Sequence, residues 1–259
     1  MALSKNEIKF VQALHQKKFR QIYEKFIVEG EKIARETLLQ RLFQVRGLYA
    51  VHSWLEENRD LYAHLPAESI HQVSAGELER ISALQTPNNV LLVVDKQNLN
   101  SEETFQITQK ALYLDDIQDP GNLGAILRIA DWFGINHVVF SPGTVEFYNP
   151  KVIQSSMGAF LRVRVKTATL QALCKANPGI RVMGASLYGE NTFKTKLPDQ
   201  GVLVIGNESM GISEDTLQLI DKKLTIPKPE GGGAESLNAA VAAGILVAVW
   251  VNGNQESIP

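Results

Sequence analysis

Apolar positions change their period along this chain, and the change divides it. Up to about residue 42, Ile8, Val11 and Leu14 and then Ile33, Leu38 and Leu42 recur at helical spacing, which predicts helices throughout that stretch. A short strand is expected at 48–51 and a polar helix from Ser53, and Ser74 with Glu77 makes a capping box ahead of another helix. After the turn cluster Thr86-Pro87-Asn88-Asn89, the unbroken apolar run 90–94 predicts a buried strand. Polar residues without a clear period fill 99–110. Beyond them, apolar runs at 111–114, 137–140, 181–185, 202–205 and 224–226 are mostly separated by helical segments, the rhythm of a mostly parallel sheet covered on both faces. The expectation is an α/β chain with a small domain at 1–98, a linker at 99–110 and a larger domain at 111–259. Ligands of such sheets bind outside the carboxyl ends of the strands, so the loops there hold the candidate chemistry.

Composition narrows the classes. An apolar share of 44% is that of a chain with a real core, and the formal net charge of −2 provides no global basic field. Any nucleic-acid contact must then be a local patch. Lys5, Lys9, Lys17, Lys18, Arg20, Lys25, Lys32, Arg35, Arg41 and Arg46 supply one near the N-terminus, although a solvated helical face accounts for them equally well. The single Cys174 excludes an internal disulfide and a cysteine zinc cluster, and the five histidines lack metal-ligand spacing. No secretory signal and no apolar run of membrane-spanning length is present, so a cytoplasmic protein without a membrane partner is expected.

Three loops have unusual composition. In LDDIQDPGNLGAILRIADWFG, residues 114–134, Asp119-Pro120-Gly121 makes a turn and Asn122 is expected to cap a helix. Leu123, Ile126, Leu127, Ala130 and Phe133 form its apolar stripe, leaving Arg128 outside with Ala125 and Asp131. Arg128 is either a surface arginine paired with Asp131 or a functional group. In VLVIGNESMGIS, residues 202–213, a strand runs into Gly206-Asn207-Glu208, and the Gly-Lys-Ser/Thr ending of a phosphate loop is missing. Glu208 there is either a solvated turn residue or an acceptor for an amide or guanidinium. The third loop follows the strand at 224–226, where Pro227 and Pro229 end the ladder, Gly231, Gly232 and Gly233 allow close backbone approach, and Ser236 or Asn238 caps the next helix. It is no dinucleotide fingerprint, and Ser236 has no nucleophile elbow, so a nicotinamide enzyme and a serine hydrolase are both disfavoured.

Taken together, DPGNLGAILRIADWFG, VLVIGNESMGIS and IPKPEGGGAESLNAAVAAG resemble the three motifs of the SpoU or TrmH branch of the SPOUT RNA methyltransferases, in the family's order. The stretch SKNEIKFVQALHQKKFRQIYEKFIVEGEKIARETL is similar to the opening of that family's L30e-like substrate-binding domain. The resemblance implies a sheet with a deep C-terminal trefoil knot, a homodimer, and metal-free methyl transfer from S-adenosylmethionine to a ribose 2′-hydroxyl of RNA. By motif correspondence, Arg128 is the catalytic arginine, supported by Asn122, with Glu208, Ser236 and Asn238 orienting it and the ribose. Gly206, Ile226 and Leu237, with Pro227 and Ala185, are implied to hold the cofactor. The N-terminal domain implies ribosomal RNA rather than transfer RNA, with Lys17, Lys18 and Arg20 on its phosphates. A non-catalytic RNA-binding or ribosome-assembly protein of the same fold is the alternative. Two departures from the family pattern stand out: the glycine loop between Ile226 and Leu237 is longer than usual, and Gln154 replaces a residue that is often basic.

Overall fold

A computed structural model describes residues 3–84, 86, 88–99 and 106–253. By contacts, the chain forms two compact units, one of Met1–Gln97 with Glu146–Leu161 and one of Asn98–Val145 with Arg162–Pro259. The return of 146–161 to the first unit leaves no mark in the hydrophobic pattern.

In chain order the first stretch holds α1 (Lys5–Ala13), α2 (Lys17–Tyr23), β1 (Lys25–Glu29), α3 (Glu31–Gln40) and β2 (Val45–Ala50). Then come α4 (His52–Glu57), α5 (Arg59–Tyr62), β3 (Ile70–Gln72), α6 (Ala75–Ile81) and β4 (Val90–Asp95). The second unit begins with β5 (Lys110–Asp115), α7 (Pro120–Trp132) and β6 (His137–Phe140), and α8 (Pro150–Ser156) belongs to the return to the first unit. The chain then completes the second unit with β7 (Arg164–Thr167), α9 (Leu170–Ala176), β8 (Val182–Asn191), β9 (Gly201–Gly206), α10 (Glu214–Leu217), β10 (Lys222–Thr225) and α11 (Ala239–Asn252).

The first unit is a mixed sheet in the order β1-β4-β2-β3, with β4 antiparallel to both of its neighbours and β3 parallel to β2. β1 corrects the expectation of helices through residue 42. Phe26, Ile27, Val28 and Glu29 are all buried, so no alternation betrays the strand, and charged neighbours hide it. Glu29 is held inside by donors from Ser82 Oγ and the Ala83 amide. On one face of the sheet, Ile8, Val11 and Leu14 pack with Ile27, Tyr49, Leu78, Ile81 and Leu91. The expected capping box of Ser74 with Glu77 opens α6, and a second one, Ser4 with Glu7, opens α1.

Arg20 is not a phosphate contact. It is 2% exposed, donates from Nη1 to the Leu14 and His15 carbonyls at 2.9 Å each, and pairs with Glu146 through Nε at 3.0 Å and through Nη2. A buried guanidinium needs this full set of acceptors. Lys17 and Lys18 beside it remain exposed.

The second unit is a six-stranded sheet, order β10-β8-β9-β5-β6-β7, and every pairing in it is parallel. β7, an edge strand of charged and half-buried residues, has no apolar run to announce it. β10 ends at Thr225, so Ile226 lies one residue beyond the strand expected to contain it. The β8 ladder is longer than its apolar run, and its register against β10 jumps from Gly184 to Glu190. Inside, Ala111, Tyr113, Val139, Val202 and Val204 form the floor of the core. Burial, reinforced by the Asp115 carboxylate, pushes the Tyr113 phenol up to about 12, so it stays neutral at physiological pH. α11 packs against α7 and against β8 and β9, and Ala243, Leu246, Val247 and Trp250 are among its buried residues. Among the described residues, no helix is long and apolar enough to cross a membrane.

Candidate active site

β5, β6 and β7 build outward in one direction, while β9, β8 and β10 lie on the other side of β5. The loops leaving β5 and β9 therefore diverge where the strand order reverses, the usual binding crevice of an open α/β sheet. The ends of these two strands are in register, Asp115 opposite Gly206.

Hydrogen bonds between side chain and main chain lock the two loops to each other. Asp115 is buried and its Oδ2 accepts the Ser213 amide at 2.7 Å. Asn207 Nδ2 donates to the Asp116 carbonyl at 2.8 Å, while its Oδ1 accepts the Ser209 and Met210 amides at 2.9 Å. Asp116 takes φ +62°, a left-handed conformation that side chains of its type tolerate. These organising roles of Asp115 and Asn207 escape sequence reasoning, although an asparagine directly after a strand-ending glycine is an Asx-turn signal.

Gly206 answers to the same packing. A Cβ there would lie 2.5 Å from both the Gly211 carbonyl carbon and the Ile212 nitrogen. Gly206→Ala is therefore expected to cost about 1–3 kcal/mol of stability through overpacking. Chemical unfolding checks this, and an unchanged midpoint would show that the 207–212 loop yields freely.

Onto this base the third loop adds a chain of side-chain hydrogen bonds. Asn238 Nδ2 donates to Asn122 Oδ1 at 2.8 Å, and Asn122 Nδ2 donates to Glu208 Oε1 at 2.8 Å. Glu208 also accepts the Gln118 and Asp119 amides at 3.4 Å. The direction follows from the ends. A carboxylate only accepts, which turns the Asn122 amide nitrogen toward it and its oxygen toward Asn238. Asn238 Oδ1 then accepts the Ala240 and Val241 amides at 2.9 and 3.2 Å, so Asn238, rather than Ser236, caps α11. The cap of α7 also differs from expectation: Asp119 is the capping residue, with Pro120 at the first helical position, and Asn122 donates its amide to Asp119 Oδ1 at 2.9 Å. Asn122 is thereby freed to bridge two loops.

Arg128 is exposed on α7, and among the described residues it makes no hydrogen bond or ion pair. Asp131, its expected surface partner, is instead forked by Arg162 at 2.8–3.0 Å. On an ideal helix Arg128 stands ~9 Å along the axis from Asn122 and about 120° around it. Glu208 and Asn238 are committed to Asn122 and the α11 backbone, so they do not orient Arg128 within the chain as expected. Ser236 is exposed and likewise makes no hydrogen bond among the described residues.

A family model for the SpoU rRNA methylase family matches residues 109–248, and one for an MRM3-like substrate binding domain matches residues 5–92. The chain belongs to the SpoU rRNA methylase family. Among relatives of this SpoU-family chain, the 23S rRNA (guanosine(2553)-2′-O)-methyltransferase RlmP of Bacillus subtilis is 31% identical, with 94% of this chain and 96% of RlmP covered. A TrmH-family structure from Porphyromonas gingivalis is 35% identical and superposes with a TM-score of 0.82 over 96% of this chain and 98% of its own. An AdoMet-bound rRNA methyltransferase from Sinorhizobium meliloti, 22% identical, shares the fold at a TM-score of 0.85, covering 99% of each chain.

The residues of the SpoU motifs fit an S-adenosylmethionine site. Leu237 is 46% exposed and Ile226 half-buried, apolar side chains left open at the ends of the third loop. From Pro227 to Leu237 every residue is exposed, and Gly232 provides the one amide with an acceptor within the chain among the described residues. Unpaired main-chain donors beside open apolar side chains suit a ligand held by backbone groups. Gly206 and Ala185 are half-buried on β9 and β8, and Pro227 is exposed. Among the described residues, no group of three or more His, Cys, Asp or Glu side chains is disposed to hold a metal.

Proposed function

We propose that this SpoU-family enzyme methylates a ribose 2′-hydroxyl of large-subunit ribosomal RNA, with S-adenosylmethionine as methyl donor. The observation that carries the reading is the Asn238–Asn122–Glu208 chain, which ties the three family motifs together at the switch point of the sheet. Bound S-adenosylmethionine supplies a methyl group already activated by its sulfonium, so the demand on the protein is to position and deprotonate a weakly acidic hydroxyl. A guanidinium does not readily accept a further proton or give up its own, so Arg128 serves by stabilising the alkoxide as it forms, and the hydroxyl proton passes to a neighbouring RNA phosphate or to water. Ile226 and Leu237 hold the cofactor with the main chain, assisted by Gly206, Ala185 and Pro227. Asn122, Glu208 and Asn238 fix the loop geometry, and Ser236 lies free to meet substrate.

The separation of Arg128 from that cluster supports a homodimer in which the arginine of one copy completes the site of the other. Trp132 on α7 and Val241 on α11, two helices packed together, are both exposed and supply apolar surface for such a contact. The trefoil knot of the family fold and a cytoplasmic location belong to the same reading.

Two experiments test it. Labelled methyl transfer to ribosomal RNA should depend on this chain, and mass mapping of rRNA and tRNA with and without the gene should reveal one missing ribose methyl in large-subunit RNA. A change confined to tRNA would overturn the substrate assignment. In the first unit, Lys17 and Lys18 are placed on RNA phosphates. Replacing both with glutamate should weaken RNA binding by about tenfold or more at low salt and lower the salt slope by about 1.5, while S-adenosylmethionine affinity stays the same. Unaltered RNA affinity in a filter-binding titration would remove these lysines from the interface.

A further inference from the structure

The first unit carries an aromatic surface that the phosphate contacts leave unexplained. Phe10 of α1 meets Tyr23 of α2 edge-on, with ring centroids 5.1 Å apart and planes at 73°. Phe19, one turn before Tyr23, lies nearly parallel to it, at 6.2 Å and 16°. Tyr23 is 40% exposed and its neighbour Ile22 59%. The reason is local: Arg20 takes the buried position of α2, and the rings at 19 and 23 fall on a side facing away from the core.

One cation stands beside the rings, and others are near in sequence. Lys18 Nζ stands 5.9 Å from the Phe19 ring centroid. Lys9 and Lys17 are exposed and form no ion pair among the described residues. The carboxylates close by in sequence are engaged elsewhere, Glu24 with Lys96 at 3.7 Å and Glu7 in the α1 capping box.

An exposed tyrosine ring backed by two half-buried phenylalanines, with exposed lysines beside it in sequence, matches nucleic acid with unstacked bases, which stack on the ring while phosphates meet the lysines. A duplex hides its base faces and offers phosphate, sugar and base edges only. The charge also favours this occupant over a protein surface, whose contact centres are depleted in lysine. We propose that Tyr23, backed by the half-buried Phe19 and Phe10 and flanked by Lys17 and Lys18, forms a stacking platform for unpaired bases, so that the first unit selects a single-stranded or looped segment of the RNA substrate. This inference rests on the reading of the chain as an RNA methyltransferase.

The test uses the full chain and the variants Tyr23→Leu and Tyr23→Trp, titrated with a labelled single-stranded oligoribonucleotide and with the duplex of the same sequence at one salt concentration. Tyr23→Leu should weaken single-strand binding about tenfold and leave duplex binding and S-adenosylmethionine affinity unchanged. Tyr23→Trp should restore single-strand binding, with its added indole quenched by the oligonucleotide. Equal weakening toward both RNAs, or no weakening, would overturn the platform. So would a fall in sedimentation coefficient for Tyr23→Leu, which would make the rings an interface between copies. Failure of the wild-type chain to methylate ribosomal RNA would count against the methyltransferase reading alone, because the oligonucleotide titration does not depend on turnover.

Discussion

Arg128→Ala is expected to lower methyl transfer by roughly 10²- to 10³-fold, the usual loss when one preorganised charge is removed from a developing oxyanion. S-adenosylmethionine affinity should stay within about twofold, since the residues assigned to the cofactor lie on other loops, and a twofold change is only ~0.4 kcal/mol. The physical ground is the idle state of the side chain. Arg128 is exposed, and no acceptor among the described residues claims its guanidinium. A surface arginine of no consequence would be expected to share the Asp131 carboxylate one turn away, but both oxygens of that carboxylate accept from Arg162. Arg128→Lys keeps the charge and loses the planar fork, so an intermediate rate is expected. Single-turnover transfer to ribosomal RNA, with calorimetry for the cofactor, separates the outcomes. Near-normal turnover in Arg128→Ala would end the catalytic assignment, and lost cofactor binding would move Arg128 into the cofactor site. If the site is shared between copies, mixed assemblies of Arg128→Ala with Asn122→Ala chains should recover activity that neither variant has alone.

The second large effect is on folding. Arg20→Ala should destabilise the first unit by about 3–5 kcal/mol, because it strands the largely buried Glu146 carboxylate, 13% exposed, and the carbonyls that Arg20 now satisfies. Glu146 has Lys96 Nζ at 4.0 Å as its remaining cation, too far for a good hydrogen bond. Replacing both partners by apolar residues, Arg20→Met with Glu146→Leu, should recover most of the loss, since the penalty comes from the unpaired charge rather than from a missing attraction. Urea unfolding of both variants beside the wild-type chain reads this out. Equal stabilities would show that water reaches the pair. Weakened RNA binding by an intact, fully stable Arg20→Ala protein would return Arg20 to the interface with Lys17 and Lys18.

Arg20 also shows where sequence reading stops. Its position among Lys17, Lys18 and Lys25 makes it one more member of a basic run, and nothing local distinguishes it. Its partner Glu146 is supplied by a segment far away in sequence, and only the fold brings the two together. β1 failed to stand out for a related reason. A strand buried on both faces has no period-two signature, and four buried residues between charged ends fit a helix equally well. β7 lacks a signature for the opposite reason, being an edge strand whose half-exposed residues form no apolar run.

The site divides in the same way. Composition alone marked the loops at 114–134, 202–213 and 224–251, because proline, glycine and asparagine clusters after apolar strands have few other uses. The motif resemblance supplied names for their polar residues. It could not show that Asn122 leaves the helix cap to Asp119, or that Asn238 reaches back to it while holding α11.

By itself, the sequence determined the α/β class, the parallel strands that hold the site, the three loops and the chemistry their motifs resemble. Those features rest on local periodicity and on residue types with few conformational choices, and neighbouring positions suffice to read them. Tertiary structure alone decided which charges are buried, which asparagine caps and which bridges, and that Arg128 stands apart from the cluster built around Asn122. Each of these depends on hydrogen-bond partners distant in the chain, and a donor's partner is chosen by the burial and geometry the completed fold imposes.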